Sequence, residues 1–305
     1  MRALASSDLG LVLGLALGLA VPACSPSIGG PCSLDDPCDE GVCNLSGPGE
    51  PACVEADGDV DGDGLPNQGD FCNQQPGGAF DEDGDGLGDE CDACPIARPP
   101  ARPDGDTDLV DSPCDPDPTV DGNQITIFEG FNGGLPASWR KENGTWDARG
   151  GEASFTSTDP NVTATLTVPL PISSRHLAVQ ASYRVDRLDA AAPQNLAGVA
   201  AVDRRPAGTT TITCSGSRTG GMDSLVVNSD AGNMSKPFTN LFDPAGLYRI
   251  AQRIEGAVGA CAMSANTQEG GVSASIPAET PTEAGLSARG ADVRFQYLLV
   301  VQRPN

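Results

Sequence analysis

Three stretches place aspartate at every second position: "DVDGDGLPNQGD" from Asp59, "DEDGDGLGDECD" from Asp81 and "DGDTDLVDSPCD" from Asp104. Carboxylates so spaced suit a hard cation. Calcium takes six to eight oxygens, and a twelve-residue loop delivers them from positions 1, 3, 5, 7, 9 and 12, with glycine at 6 for the turn. In loop one these slots hold Asp59, Asp61, Asp63, the Leu65 carbonyl, Asn67 and Asp70, with Gly64 at position 6. In loop two they hold Asp81, Asp83, Asp85, the Leu87 carbonyl, Asp89 and Asp92, with Gly86 at position 6. Loop three supplies Asp104, Asp106, Asp108 and Asp115. It has Leu109 in place of the glycine and Ser112 at position 9, where Asp111 is an alternative donor.

The competing reading is a solvated acidic run, the usual fate of a charge block. Such a run would not fill every slot twice, place glycine at position 6 twice and keep its cysteines in register. The loops begin 22 and then 23 residues apart, so they form an internal repeat. Cys91 and Cys114 stand at position 11 of loops two and three. Cys72 and Cys94 stand two residues after the last aspartate of loops one and two. Pairing Cys72 with Cys91, and Cys94 with Cys114, would tie each loop to the next. Without metal, neighbouring carboxylates repel by about 1 kcal/mol per pair at 4 Å in water. The array is therefore expected to be expanded without calcium and compact with it, with affinity on the order of 10⁻⁴–10⁻³ M.

The elements that carry these loops differ sharply along the chain. The formal charge of −24 lies almost wholly between Cys24 and Asn123, with 25 acidic residues against 2 arginines. That excludes nucleic acid as a partner, because a polyanion needs a basic footprint. Residues 1–23 carry Arg2 and the apolar run "LGLVLGLALGLAV", too short for a comfortable membrane span, and read as a signal peptide. "VPAC" then presents Cys24. Of 11 cysteines, setting Cys24 aside leaves 10, an even number suited to disulfides in an oxidising compartment. Residues 24–56 read as a tether and a cysteine-rich knot holding Cys32, Cys38, Cys43 and Cys53. Their three possible pairings stay open, and their spacing lacks the paired arrangement zinc prefers.

Residues 57–118 resemble thrombospondin type 3 repeats, most specifically at "DEDGDGLGDECDACP". That resemblance implies a disulfide-linked string of calcium-filled aspartate loops with little regular secondary structure. It also implies more than one calcium per full repeat, with Asp57 and Glu82 as spare carboxylates. Loop three departs at its glycine and in its "RPPARPD" approach. The loops are not EF-hands, because the Gly/Pro-broken "FCNQQPGGAF" between loops one and two cannot be helical. Cys24 after "VPA" resembles the lipobox of bacterial lipoproteins, which implies acylation of that cysteine; Pro22 departs from the pattern and leaves ordinary signal cleavage as the alternative.

Residues 124–305 read as strands. "LAVQASYRVDRL" puts Leu177, Val179, Ala181, Tyr183 and Val185 on one face. "DVRFQYLLVVQ" puts Val293, Phe295, Tyr297, Leu299 and Val301 on one face. Period-two alternation with Gly, Pro, Asn and Asp breaks predicts a half-buried antiparallel sheet. "FNGGLPASWRKENGTWDARGGEASF" and the closing "VRFQYLLVV" resemble concanavalin-A-like and laminin-G-like jelly rolls. The chain is thus expected to be mainly β, an irregular disulfide-linked array of calcium loops followed by an antiparallel β-sandwich of jelly-roll type. Trp139 and Trp146 suit either the core or a sugar ring. Cys214 and Cys261 are expected to pair.

Enzyme signals are missing from this reading. A glycosidase needs two carboxylates flanking the bond. Here Glu129, Glu142, Asp147, Glu152 and Glu255 stand singly, and the one histidine, His176, lacks a nucleophile motif. The expectation is a non-enzymatic, exported surface protein, lipid-anchored at Cys24 to a cell surface or outer membrane, or otherwise secreted or periplasmic. Its array would be a calcium-stiffened stalk that presents the sandwich to a cell-surface glycan or protein. A carbohydrate-active enzyme and a purely structural assembly module are the rival readings.

Overall fold

The alternating apolar runs do become strands. The structure, a computed structural model, describes residues 26–47, 49–98, 104–206, 208–265, 268–277 and 280–305. The predicted signal peptide, Cys24 and residues 99–103 of the approach to loop three lie outside the described residues.

The cysteine-rich segment forms β1 (Val42–Asn44) and β2 (Ala52–Val54), an antiparallel pair with Cys43 opposite Cys53. Disulfides Cys32–Cys43 and Cys38–Cys53 fasten it. The array that follows has no strands among its described residues and one 3-10 turn, Asn67–Gly69. The sandwich begins with β3 (Gln124–Glu129), β4 (Arg140–Glu142), β5 (Thr145–Ala148), β6 (Ala153–Thr156) and β7 (Ala164–Pro169). It continues through β8 (His176–Leu188), β9 (Asn195–Arg205), β10 (Gly208–Thr219), β11 (Met222–Ser229) and β12 (Gly232–Pro237). It closes with β13 (Tyr248–Glu255), β14 (Val258–Ala265), β15 (Gln268–Ser275), β16 (Glu283–Arg289) and β17 (Ala291–Arg303).

Two antiparallel sheets result, as expected from the sequence. One has seven strands in the order β12-β11-β10-β9-β16-β7-β4. The other has eight in the path β15-β14-β13-β8-β17-β6-β5, with β3 also paired to β17. The core lies between them. On β8 the expected set Leu177, Val179, Ala181, Tyr183 and Val185 faces inward. Tyr183 meets Tyr248 and Phe295 at ring-centroid distances of 5.3 and 5.7 Å. Each fully buried side chain of this size contributes about 1.5–3 kcal/mol relative to exposure. Trp139 and Trp146 belong to this core and are not free to stack on a ligand. The disulfide Cys214–Cys261 runs from β10 to β14 and so joins the two sheets.

The last strand departs from simple alternation. Its register with β8 shifts between Phe295 and Tyr297, leaving Gln296 as the extra residue of a β-bulge. Val293 and Phe295 face the core, but beyond the bulge Leu298 and Val300 take the inward positions. Tyr297, Leu299 and Val301 therefore turn to the outer face, against the expectation that all five residues share one side.

That outer face is covered by the array. Tyr297, Leu299, Val301 and Ala178 form a second apolar cluster with Val110 and the Cys94–Cys114 pair, flanked by Ile96, Ala97, Ile125 and Phe128. Arg253 adds bonds to the Pro116 carbonyl (2.7 Å) and to Asp117 (2.8 Å). The array is thus no free stalk, because its third loop lies along the eight-stranded sheet. The physical reason is the bulge, which presents an apolar outer face that must be covered.

Candidate metal centre

Each aspartate loop is shaped by its own side chains. In loop one the first aspartate, Asp59, accepts from Gly62 N (2.7 Å) and Gly64 N (3.1 Å). Asp81 does the same for Gly84 N (2.7 Å) and Gly86 N (2.9 Å), and Asp104 for Thr107 N (2.6 Å) and Leu109 N (2.8 Å). The position-5 aspartate then accepts from the N–H of position 7: Leu65 (2.7 Å), Leu87 (2.8 Å) and Val110 (3.0 Å). Three sequences thus produce one hydrogen-bond pattern, and loop three keeps it without its glycine.

Positions 4 and 6 explain the glycines. Their φ angles are +80° and +97° at Gly62 and Gly64, and +73° and +93° at Gly84 and Gly86. In loop three Thr107 (φ +78°) and Leu109 (φ +70°) occupy the same left-handed region. A side chain there costs about 1–2 kcal/mol. Leu109 is 80% exposed and makes no core contact to offset that cost. Leu109→Gly should therefore stabilise the protein by about 1 kcal/mol, less what glycine adds to unfolded-chain entropy. A urea denaturation midpoint checks this, and a lower midpoint would contradict it.

The folded loops gather their carboxylates. Asp59, Asp61 and Asp63 bring one oxygen each to within 4.8 Å of one another, as do Asp81, Asp83 and Asp85, and Asp104, Asp106 and Asp108. The final aspartate of each loop sits over the same set. Burial pushes the Asp70 carboxyl up, with Asp61, Asp63 and Asp59 adding to it. Asp92 is pushed up to about 7 by burial, with Asp85 and Asp83 adding. Asp115 is likewise raised by burial, with Asp108 and Asp106 adding. By contrast, Gly77 N–H and Leu65 N–H hold Asp63 below the usual carboxylate range.

Position 9 does something the twelve-residue template does not foresee. Asn67 and Asp89 each turn an oxygen to the N–H of position 2, at Val60 (3.1 Å) and Glu82 (2.9 Å). They brace the start of the loop. In loop three the brace shifts by one residue: Asp111, at position 8, and not Ser112, accepts from Asp104 N at position 1 (2.9 Å). Asp89 is pushed up to about 7 by burial, with Glu82 and Glu90 adding. Of the spare carboxylates, Asp57 accepts from Gln68 (3.1 Å) and Glu82 accepts from Asn132 of the sandwich (3.0 Å).

The decisive feature is what the carboxylates lack. Asp61 Oδ2, Asp83 Oδ2 and both oxygens of Asp106, all at position 3, are buried with no hydrogen-bond partner; so are Asp70 Oδ2 and Asp115 Oδ2, at position 12. A buried acceptor left unmade costs about 1–3 kcal/mol, and more when charged. The unmade oxygens are those that the template aims at a shared ion, and their hard, all-oxygen chemistry fits calcium. Two participants fall outside the template. Asn73 is 3% exposed with Oδ1 unpartnered, and Asn123 bonds both Asp108 and Asp115.

Cysteines fix the loops in sequence. Cys72 is bonded to Cys91 and Cys94 to Cys114. Five disulfides among the described residues belong to an oxidising, extracellular or exported setting. No helix among the described residues is long and apolar enough to cross a membrane.

No family model matches the sequence, and no curated protein does. Among solved structures, the chain is similar to the CBM2 module of the Lactobacillus casei BL23 phage J-1 evolved Dit, with 10% identity and a TM-score of 0.44 over 60% of this chain and 97% of that one. It is similar to winged bean acidic lectin complexed with methyl-α-D-galactose, with 9% identity and a TM-score of 0.43 over 59% and 98%. It is also similar to the VIP36 exoplasmic/lumenal domain in its Ca2+/Man3GlcNAc-bound form, with 12% identity and a TM-score of 0.38 over 54% and 83%. Likenesses this remote carry no function to this chain.

Proposed function

We propose that this is an exported calcium-binding surface protein in which three aspartate loops, once filled, brace a β-sandwich that recognises a cell-surface glycan or protein. The observation that carries the calcium half is the set of buried, unpartnered carboxylate oxygens converging in each loop. Asp59, Asp61, Asp63 and Asp70 would hold one ion, Asp81, Asp83, Asp85 and Asp92 a second, and Asp104, Asp106, Asp108 and Asp115 a third. The carbonyls of Leu65, Leu87 and Val110 would complete these sites. Calcium supplies positive charge that lets the carboxylates pack. The chain's own residues do the rest: they close the turns and orient the oxygens.

The recognition half is supported by the face that the array leaves open. On the seven-stranded sheet, Glu142, Thr163, Thr165, Thr211, Thr213, Asn228 and their neighbours line a cavity of about 330 Å³. It is rich in hydroxyls, which both donate and accept. Binding rather than catalysis is the reading adopted: Glu142 of this cavity is engaged by Arg204 at 2.9 Å and by Thr165. A lipid on Cys24 would anchor the protein, and intact mass of the exported chain checks it; an unmodified Cys24 at the mature N-terminus removes the anchor.

Equilibrium dialysis of the full mature chain against calcium, with the bound metal counted, tests the calcium half. We expect at least three ions per chain, retained against magnesium. Fewer than one ion per chain would sink it.

A further inference from the structure

We infer that the third loop is a calcium-operated clamp between the array and the sandwich, so that its ion alone decides whether the outer face of the eight-stranded sheet is covered. This rests on the calcium reading above and adds to it a division of labour between the sites.

Loop three differs from its neighbours in what its ligand positions touch. Val110 stands at position 7, the slot whose carbonyl the twelve-residue template assigns to the ion. Its side chain is 2% exposed and packs in the cluster with Tyr297, Leu299 and Val301. Cys114, fully buried in the same cluster, precedes Asp115, and its carbonyl accepts from Gln180 of β8 (3.3 Å). Asp115 is 7% exposed, and its Oδ2 has no partner. Asn123 donates its N–H to Asp108 (2.7 Å) and its side-chain amide to Asp115 (2.9 Å), one residue before β3 begins. Arg253 of β13 holds Pro116 and Asp117 from the other side. By comparison, Leu65 and Leu87 are only half-buried, and loop two meets the sandwich at its edges, through the exposed Glu82–Asn132 bond and through Cys94, two residues past its last aspartate.

The consequence is mechanical. With an ion present, Asp106, Asp108 and Asp115 are drawn together, and the residues between them, Val110 and Cys114, are pressed onto the sheet. Without it these carboxylates repel and the apolar anchors between them lose their position. Tyr297, Leu299 and Val301 then face water. Coupling of this kind is reciprocal: loosening the sandwich side must weaken the ion.

The test uses the full mature chain in saturating calcium. Asp106→Asn with Asp115→Asn should lose one ion by dialysis, raise the fluorescence of an added apolar dye (anilinonaphthalene sulfonate) several-fold, and lose hydrogen-exchange protection over 104–123. Asp83→Asn with Asp85→Asn should also lose one ion, with no rise in dye fluorescence. Arg253→Gln, which removes the half-buried guanidinium from Pro116 and Asp117, should weaken one calcium at least five-fold. The clamp is overturned if the loop-three variant loses its ion with dye binding and exchange unchanged. It is equally overturned if Arg253→Gln leaves every affinity unchanged. A wild type that binds no calcium at all would overturn the calcium reading and the clamp together, and the dialysis count separates these cases.

Discussion

Chelating calcium from the intact protein should unfold the array while the sandwich stays folded. Among the described residues between 57 and 118 the buried apolar side chains are Val110 and three disulfide-bonded cysteines. That is little apolar area to set against the backbone entropy lost on ordering the segment. The disulfides Cys72–Cys91 and Cys94–Cys114 reduce that entropy without supplying cohesion. The ions must supply it. At a free calcium concentration 100-fold above the dissociation constant, each site contributes about 2.7 kcal/mol, so three sites contribute about 8 kcal/mol. Differential scanning calorimetry should show this as the loss or downward shift of one transition on chelation, with the sandwich transition kept. Superposable traces with and without chelator would contradict it.

The second large effect belongs to the sandwich. Replacing both Cys214 and Cys261 by alanine should destabilise it by about 4 kcal/mol, because the bond closes a loop of 47 residues and the loss grows with loop length. Both cysteines are at most 1% exposed, so vacated sulfur volume adds to the loss. The two sheets would then be held by core packing alone. Urea unfolding of the oxidised double variant measures the change. A loss below about 1 kcal/mol would show that the inter-sheet bond does little for the native state.

What could be read beforehand follows from how local the physics is. The loops were legible because their geometry is made within a few residues: Asp59 closes its own turn at Gly62 and Gly64, and the same spacing recurs at Asp81. The β8 face was legible because alternation alone separates Leu177 and Val179 from Ala178 and Gln180. The bulge at Gln296 was not, since an extra residue leaves no mark in a run such as "FQYLLVV". Nor was the docking of the array, which turns on Val110, an isolated apolar residue in an acidic stretch. Four knot cysteines offered three pairings, and nothing in their spacing singles out Cys32–Cys43 with Cys38–Cys53. Asn73 and Asn123 escaped notice because neither occupies a template slot: Asn73 lies three residues after Asp70 and Asn123 eight after Asp115.

The bulge and the docking share a cause. Both concern the seam between array and sandwich, where a strand irregularity and a degenerate loop are each explained by the other. The bulge exposes Tyr297, Leu299 and Val301, and the loop that covers them is the one lacking its glycine. A loop held from outside by Arg253 and Asn123 can tolerate Thr107 and Leu109 in the left-handed region, because its surroundings over-determine it.

The central claim is that the three aspartate loops hold calcium, and anomalous scattering from crystals of the mature chain grown with calcium tests it most directly. The account predicts an anomalous peak inside each of the sets Asp59/Asp61/Asp63, Asp81/Asp83/Asp85 and Asp104/Asp106/Asp108, with ligand oxygens about 2.3–2.6 Å away. The unpartnered oxygens of Asp61, Asp83 and Asp106 should be among the nearest. A map with no peak in any loop, and water against those oxygens instead, would contradict it.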